Sequence, residues 1–382
     1  MMVITGCRKV YTPREISVNH LYLTVDGTIN MGINSISSFT LTRSQMLNDT
    51  TPSIPELGAT VAIQSSDGSA SFTMKDTGSN GIYVSDALTL DITRQYILFV
   101  ISADGEKFAS DAITPKQTPP IDSLNWTLGF DGASNSQVIN IYANTHDPSG
   151  NTQFYRWDFT ETWEHESIHR ANYLIVNTHP VYIDDSTQHN WHCWSNALST
   201  NILVGTSAGL SGDVISQAQI NRIYQNDPRM DVKYSILVRQ YAIDAAAYDY
   251  WSRVQKQSQT LGGLFDIIPA QLKGNMHNLT VPSEPVYGYI SASTVEQQRL
   301  FISNQNLPDW KSVPTQKCNG YIFTPDPALL QVSTIYYNKD PNFSFYDFGT
   351  DSNGQQTQIL MTTACLDCTF QGGSTIKPPF WQ

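Results

Sequence analysis

Twice within residues 61–108 an apolar–polar alternation breaks at Asp-Gly and then resumes. Val61 and Ile63 lead to Asp67-Gly68 and on to Ala70, Phe72 and Met74, and Phe99 and Ile101 lead through Asp104-Gly105 to Phe108. Alternation with period two puts the apolar side chains on one face of a strand. Asp-Gly tolerates the positive φ of a tight hairpin turn. Two such hairpins commit this stretch to antiparallel sheet. Further alternations at Leu21, Leu23 and Val25 and at Phe39 and Leu41 add strands at the spacing of a β-sandwich.

Thr114 to Asp122 reads T-P-K-Q-T-P-P-I-D. Its three prolines lack ladder donors and stiffen the chain, so a domain boundary is expected there. Beyond it, Phe154 to Trp163 carries Tyr155, Trp157, Phe159 and Trp163 on one parity and Arg156, Asp158 and Thr160 on the other. That pattern is a strand with an aromatic face. Strands are also expected around Val138–Ile141, Tyr234–Tyr241, Val286–Ile290 and Leu300–Ile302. One helix is expected after Asp244, which can cap it. Ala247, Trp251 and Val254 would share a face, and Gly262-Gly263 would end it. Residues 303–382 read as loop-rich.

The expected architecture is therefore mainly β. It has a truncated signal, lipobox and tether over 1–19. An immunoglobulin- or transthyretin-like sandwich over 20–115, able to fold by itself, comes next. A β-rich domain with one or a few helices and a cysteine-containing tail fills 116–382.

A net charge of −12 repels phosphate backbones and argues against nucleic acid as a partner. No run of eighteen apolar residues offers a membrane-spanning helix. Ile4-Thr5-Gly6-Cys7 is similar to a bacterial lipobox, so Cys7 is the expected lipidation site and the membrane an expected partner, through the lipid. Too little apolar sequence precedes it for a whole signal peptide, which points to a start further upstream. The other four cysteines, Cys193, Cys318, Cys365 and Cys368, form an even set of the kind that pairs as disulfides in exported proteins. Cys365 and Cys368 stand in a C-x-x-C, so each is expected to bond a distant partner. A zinc site completed by Cys193 and Cys318 is the rival.

His165-Glu166-Ser167-Ile168-His169 matches H-E-x-x-H, the pattern by which a helix presents two imidazoles and a glutamate to zinc. The aromatic alternation leading into it says strand instead. Five of the eight histidines, His165, His169, His179, His189 and His192, fall in this region. Candidate metal ligands are His165, His169, Asp184, His189 and His192, with a metal-dependent hydrolase as the alternative function. Candidate ligand-stacking aromatics are Tyr155, Trp157, Trp163, Trp191 and Trp194, for which a core role is the rival. Gly205-Thr206-Ser207-Ala208-Gly209 is only loosely like a nucleophile elbow and reads as a turn. No catalytic residue and no cofactor is expected.

The chain resembles the domain-of-unknown-function 4249 family of Bacteroidetes-type outer-membrane lipoproteins. The stretches that carry the likeness are Tyr155–Trp163, Cys193-Trp194, Tyr234–Tyr241, Phe265–Pro269, Gly274-Asn275, Gly288-Tyr289 and the tail from Cys365 to Trp381. It implies a lipid-anchored protein of the outer membrane, often encoded beside a TonB-dependent transporter. It brings no activity, so it transfers no site residue.

Overall fold

In a computed structural model the structure describes residues 21–44, 54–176, 179–182, 190–259, 273–308, 310, 312, 318, 320–323, 343–350 and 352–382. Cys7 and the tether, Asp184, His189, Gly262-Gly263 and Phe265–Pro269 lie outside them. The chain is mainly β and divides into two units, Met1–Pro115 with Ile267–Ala292, and Lys116–Asp266 with Ser293–Gln382.

The first unit holds two antiparallel sheets around one core. One runs Met276–Asn278, Lys107–Ser110, Tyr96–Ile101, Thr60–Ser65, Ser71–Thr73. The other runs Ser291–Ser293, Leu23–Asn30, Ser38–Arg43, Ile82–Val84, Lys75–Asp76, with Ile54–Pro55 on Ser38–Arg43. Both hairpins form as their sequences require: Ile63 faces Phe72, Val100 faces Phe108, and Gly68 and Gly105 take φ of 74° and 92°. The inward-facing Val25, Phe39, Leu41, Val61, Ile63, Leu98 and Val100 fill the core.

Met276, Val286, Ile290 and Ala292 belong to that same core. The expectation of an uninterrupted second domain over 116–382 is thus corrected, because residues 267–292 go with the first unit. Backbone contacts hold the returning segment. Tyr287 accepts from Val25 N and donates to Leu23 O, and Asn275 O accepts from Asp111 N at 2.8 Å, while the Asn275 side chain exchanges two 2.8 Å hydrogen bonds with the Ile290 backbone inside the segment. At Gly288, φ is +119° and a Cβ would stand 1.9 Å from Val25 O, so only glycine fits. The strand expected at Val286–Ile290 is only an isolated parallel bridge between Thr24 and Tyr287.

In the second unit, strand Phe154–Glu166 is central. It pairs with His192–Leu198 and Leu203–Thr206 on one side and with Lys233–Ala242 on the other, and Val295–Ser303 follows. A three-stranded sheet of Ile121–Asp131, Ser136–His146 and Val214–Tyr224 shares its core through Ile139, Ile141, Ala143, Ile220 and Ile223. The expected helix is Ala245–Gln259, and the Asp244 carboxylate accepts from Ala247 N at 2.7 Å. The loop-rich expectation for 303–382 is corrected in part. Gly320–Phe323, Phe343–Thr350 and Gln356–Thr362 form a three-stranded sheet.

Candidate functional site

The central strand separates two chemically different faces. Its odd-numbered residues Tyr155, Trp157 and Phe159 are buried in the core, and Trp163 packs partly against it. The indole of Trp157 donates to Gln240 Oε1 at 2.8 Å, and the Tyr155 hydroxyl donates to Thr152 O at 3.0 Å. Buried aromatics with satisfied polar atoms are core. Tyr155 and Trp157 are therefore corrected from stacking candidates to core residues.

The even-numbered side chains face away from that core. Strand register aligns Asp158 with Arg239, Thr162 with Ser235 and Glu164 with both Lys233 and Trp194. Leu237 in turn stands opposite Arg299, and Ser235 opposite Phe301. Asp158 accepts from Arg239 Nε and, at 2.8 Å, from the Tyr241 hydroxyl. Arg239 Nη1 also donates to Thr160 Oγ1 at 2.9 Å. Burial first, and then the neighbouring Asp158 charge, push the Tyr241 phenol well above its usual value. Tyr241 is a neutral donor here, unsuited to act as a base.

The tail lies on one end of this face. Ser374 bridges Trp194 through reciprocal 2.8 Å backbone hydrogen bonds. The Trp381 indole donates to Glu164 Oε2 at 2.9 Å and meets Phe301 edge-on at 5.5 Å. Lys233 donates to Gln382 O at 2.6 Å. The Arg299 guanidinium lies 3.5 Å from the Phe380 ring centroid. Of the remaining candidates, Trp194 stacks on His192 at 4.7 Å, and Trp191 carries the Arg170 guanidinium at 4.9 Å. Both are partly exposed.

The histidine segment does not assemble the zinc-protease geometry. His165 and Glu166 end a strand, where H-E-x-x-H chemistry needs a helix. His165 is buried, with Nε2 2.9 Å from Ser195 Oγ. Burial, then the neighbouring His192, hold its pKa below the usual imidazole range. His169 lies beyond the strand, its backbone N–H donating to Cys365 O and its ring 5.7 Å from Tyr346. His192 is engaged with Glu164. Among the described residues no three His, Cys, Asp or Glu side chains come together as a metal-ligand set.

The cysteines pair as Cys193–Cys368 and Cys318–Cys365, so each half of the C-x-x-C reaches a distant partner. A disulfide sulfur offers no thiolate, and the zinc alternative for these four residues is corrected. The glycine-flanked Ser207 lies in a turn after strand Leu203–Thr206, with its hydroxyl hydrogen-bonded to Asp213.

The sequence did not single out Arg239, Arg299, Glu164 or Trp381. A signal existed in the charged parity of the central strand, Arg156, Asp158 and Thr160, which faces opposite the aromatic one.

A family model described as "Domain of unknown function (DUF4249)" matches residues 9–299, well over half of the chain. No curated protein matches it.

Proposed function

The chain belongs to the DUF4249 family, and from that premise and the geometry above we propose that it is a non-catalytic binding lipoprotein of the outer membrane. In this reading it is tethered through an acylated Cys7 and serves as an accessory component of a TonB-dependent uptake system.

The observation that carries the proposal is the outer face of the five-stranded sheet. Charged and aromatic side chains from four strands and the tail are arrayed there on a rigid scaffold, with Gln297, Asn196 and Leu198 open to solvent beside them. Such a face supports contact. Its acidic groups are hydrogen-bonded to neighbours and its tyrosine is held neutral. Nothing in that arrangement poises a nucleophile or a general base.

The test uses the full-length precursor in its native host. Cys7→Ser should move the protein from the membrane to the soluble fraction, and the wild type should co-purify with an outer-membrane transporter after mild solubilisation. Unchanged membrane retention of Cys7→Ser would sink the anchoring. Peptide cleavage by zinc-loaded wild type, abolished in Glu166→Gln, would replace the binding reading with the metal-dependent hydrolase.

A further inference from the structure

We propose that the outer face of the five-stranded sheet binds an oxyanion group, the carboxylate or phosphate of a small ligand, on the free edge of the Arg299 guanidinium. This names the ligand chemistry of the face described above and rests on that binding reading.

Charge counting on the face comes first. Arg239 and Arg299 stand on neighbouring strands and on the same side, one opposite Gln297 and the other opposite Leu237. Burial, and then the charge of Arg239, hold the Arg299 guanidinium below its usual pKa. Asp158 neutralises Arg239. Among the described residues no carboxylate pairs with Arg299. Like charges side by side on a sheet are unfavourable, and in a chain of net charge −12 acidic side chains are plentiful. A cation left without one, next to a second cation, is what a bound anion would complete.

The orientation of Arg299 comes second. Its Nη1 donates to Ser235 Oγ at 2.9 Å, and the Phe380 ring lies 3.5 Å from its carbon. These two contacts fix the guanidinium plane while leaving its other N–H groups without a described partner. A planar fork with a free edge matches the two oxygens of a carboxylate or phosphate. The exposed Gln297 stands two residues earlier on the same side of the strand, opposite Arg239. The tail provides the ring over Arg299, and disulfide Cys193–Cys368 ties the start of the tail to strand His192–Leu198.

The experiment is calorimetric titration of the purified full chain with inorganic phosphate and, separately, with succinate, against sodium chloride at matched ionic strength to remove screening. Phosphate or succinate should give saturable binding that chloride does not. Binding to both anions indicates general oxyanion recognition, and binding to one identifies its source. Arg299→Gln should weaken it about tenfold or more, the effect of losing a charge-assisted hydrogen bond. Arg299→Lys keeps the charge but not the fork and should fall between. Asp158→Asn releases Arg239 and should tighten it. Thermal unfolding without anion checks that each variant is folded. If Arg299→Gln fails to fold, the Arg299→Lys and Asp158→Asn titrations decide instead. No saturable binding by the wild type, equal binding by a folded Arg299→Gln, or weaker binding by Asp158→Asn overturns the site. None of these depends on Cys7 or on a transporter, so the site can fail while the accessory reading stands, and the reverse.

Discussion

A Cβ on Gly373 would stand 2.6 Å from Cys193 Cβ and 2.7 Å from His165 Nε2. The tail thus crosses the end of the central strand at a spacing that only a bare backbone permits. Gly373→Ala must push the tail outward or displace a disulfide-bonded residue. We expect a cost of about 1–3 kcal/mol, the usual penalty for overpacking, read as a lower urea midpoint at unchanged slope; an unaltered midpoint would mean that the tail is not held there. His165 beside it gives a pH prediction. Its folded pKa lies below the ordinary 6.5 because burial disfavours the imidazolium. As pH falls below that value the unfolded chain binds the proton first, so stability falls on acidification and is regained as pH rises back. His146 has the opposite sign: the Asp122 carboxylate raises its pKa, so its contribution is present below 6.5 and fades as pH rises through the raised value. Subtracting the stability profile of His165→Gln from that of wild type isolates the first effect. A flat difference between pH 5 and 7 would remove His165 as its source.

The strands were legible because their causes are local. Period-two alternation and Asp-Gly turns act over a few residues, and the hairpins at Gly68 and Gly105 and the strand Phe154–Glu166 stand where those signals put them. The same locality explains the H-E-x-x-H stretch, where the preceding aromatic alternation outweighs a five-residue motif. The outer face of the sheet was less legible. Its members come from strands about 60–140 residues apart, and only the register brings Asp158, Arg239 and Arg299 onto one side. Disulfide pairing is nonlocal too, and the C-x-x-C could say only that each cysteine looks elsewhere. The two bonds close separations of 175 and 47 residues, for which loop-closure entropy gives on the order of 4–5 kcal/mol each as an upper bound. Cys318→Ser with Cys365→Ser should therefore lower the stability of the second unit by about 2–4 kcal/mol. Denatured, non-reduced wild type should show none of these four thiols free. Four reactive thiols, or an unchanged melting temperature in the double variant, would contradict the pairing.

At the scale of the whole chain, the prolines between residues 114 and 122 marked where the chain leaves the first unit, but nothing local announced that residues 267–292 return to it. The strand expected around Val286–Ile290 gave no sign of which unit it would join. The return is held by the backbone contacts of Tyr287 with Val25 and Leu23, by Asp111 N donating to Asn275 O and by the room that Gly288 leaves, which are conditions on the chain it joins and not on its own sequence. The consequence reverses the expectation that residues 20–115 fold alone. Met276, Val286 and Ile290 are almost wholly buried in the first unit's core. Each is worth about 1.5–3 kcal/mol of burial, so their loss removes on the order of 5–9 kcal/mol from a domain whose net stability is typically about 5–15 kcal/mol. Removing Met276–Asn278 also strips the hydrogen-bonding partner from the edge of Lys107–Ser110, leaving an open strand that invites aggregation. A chain of residues 20–115 should accordingly be molten and bind hydrophobic dyes. Fusing residues 267–292 to it through a flexible glycine–serine linker should restore a cooperative thermal transition. Cooperative unfolding of 20–115 alone, at the same temperature as the fusion, would show that the returning segment decorates this core without completing it.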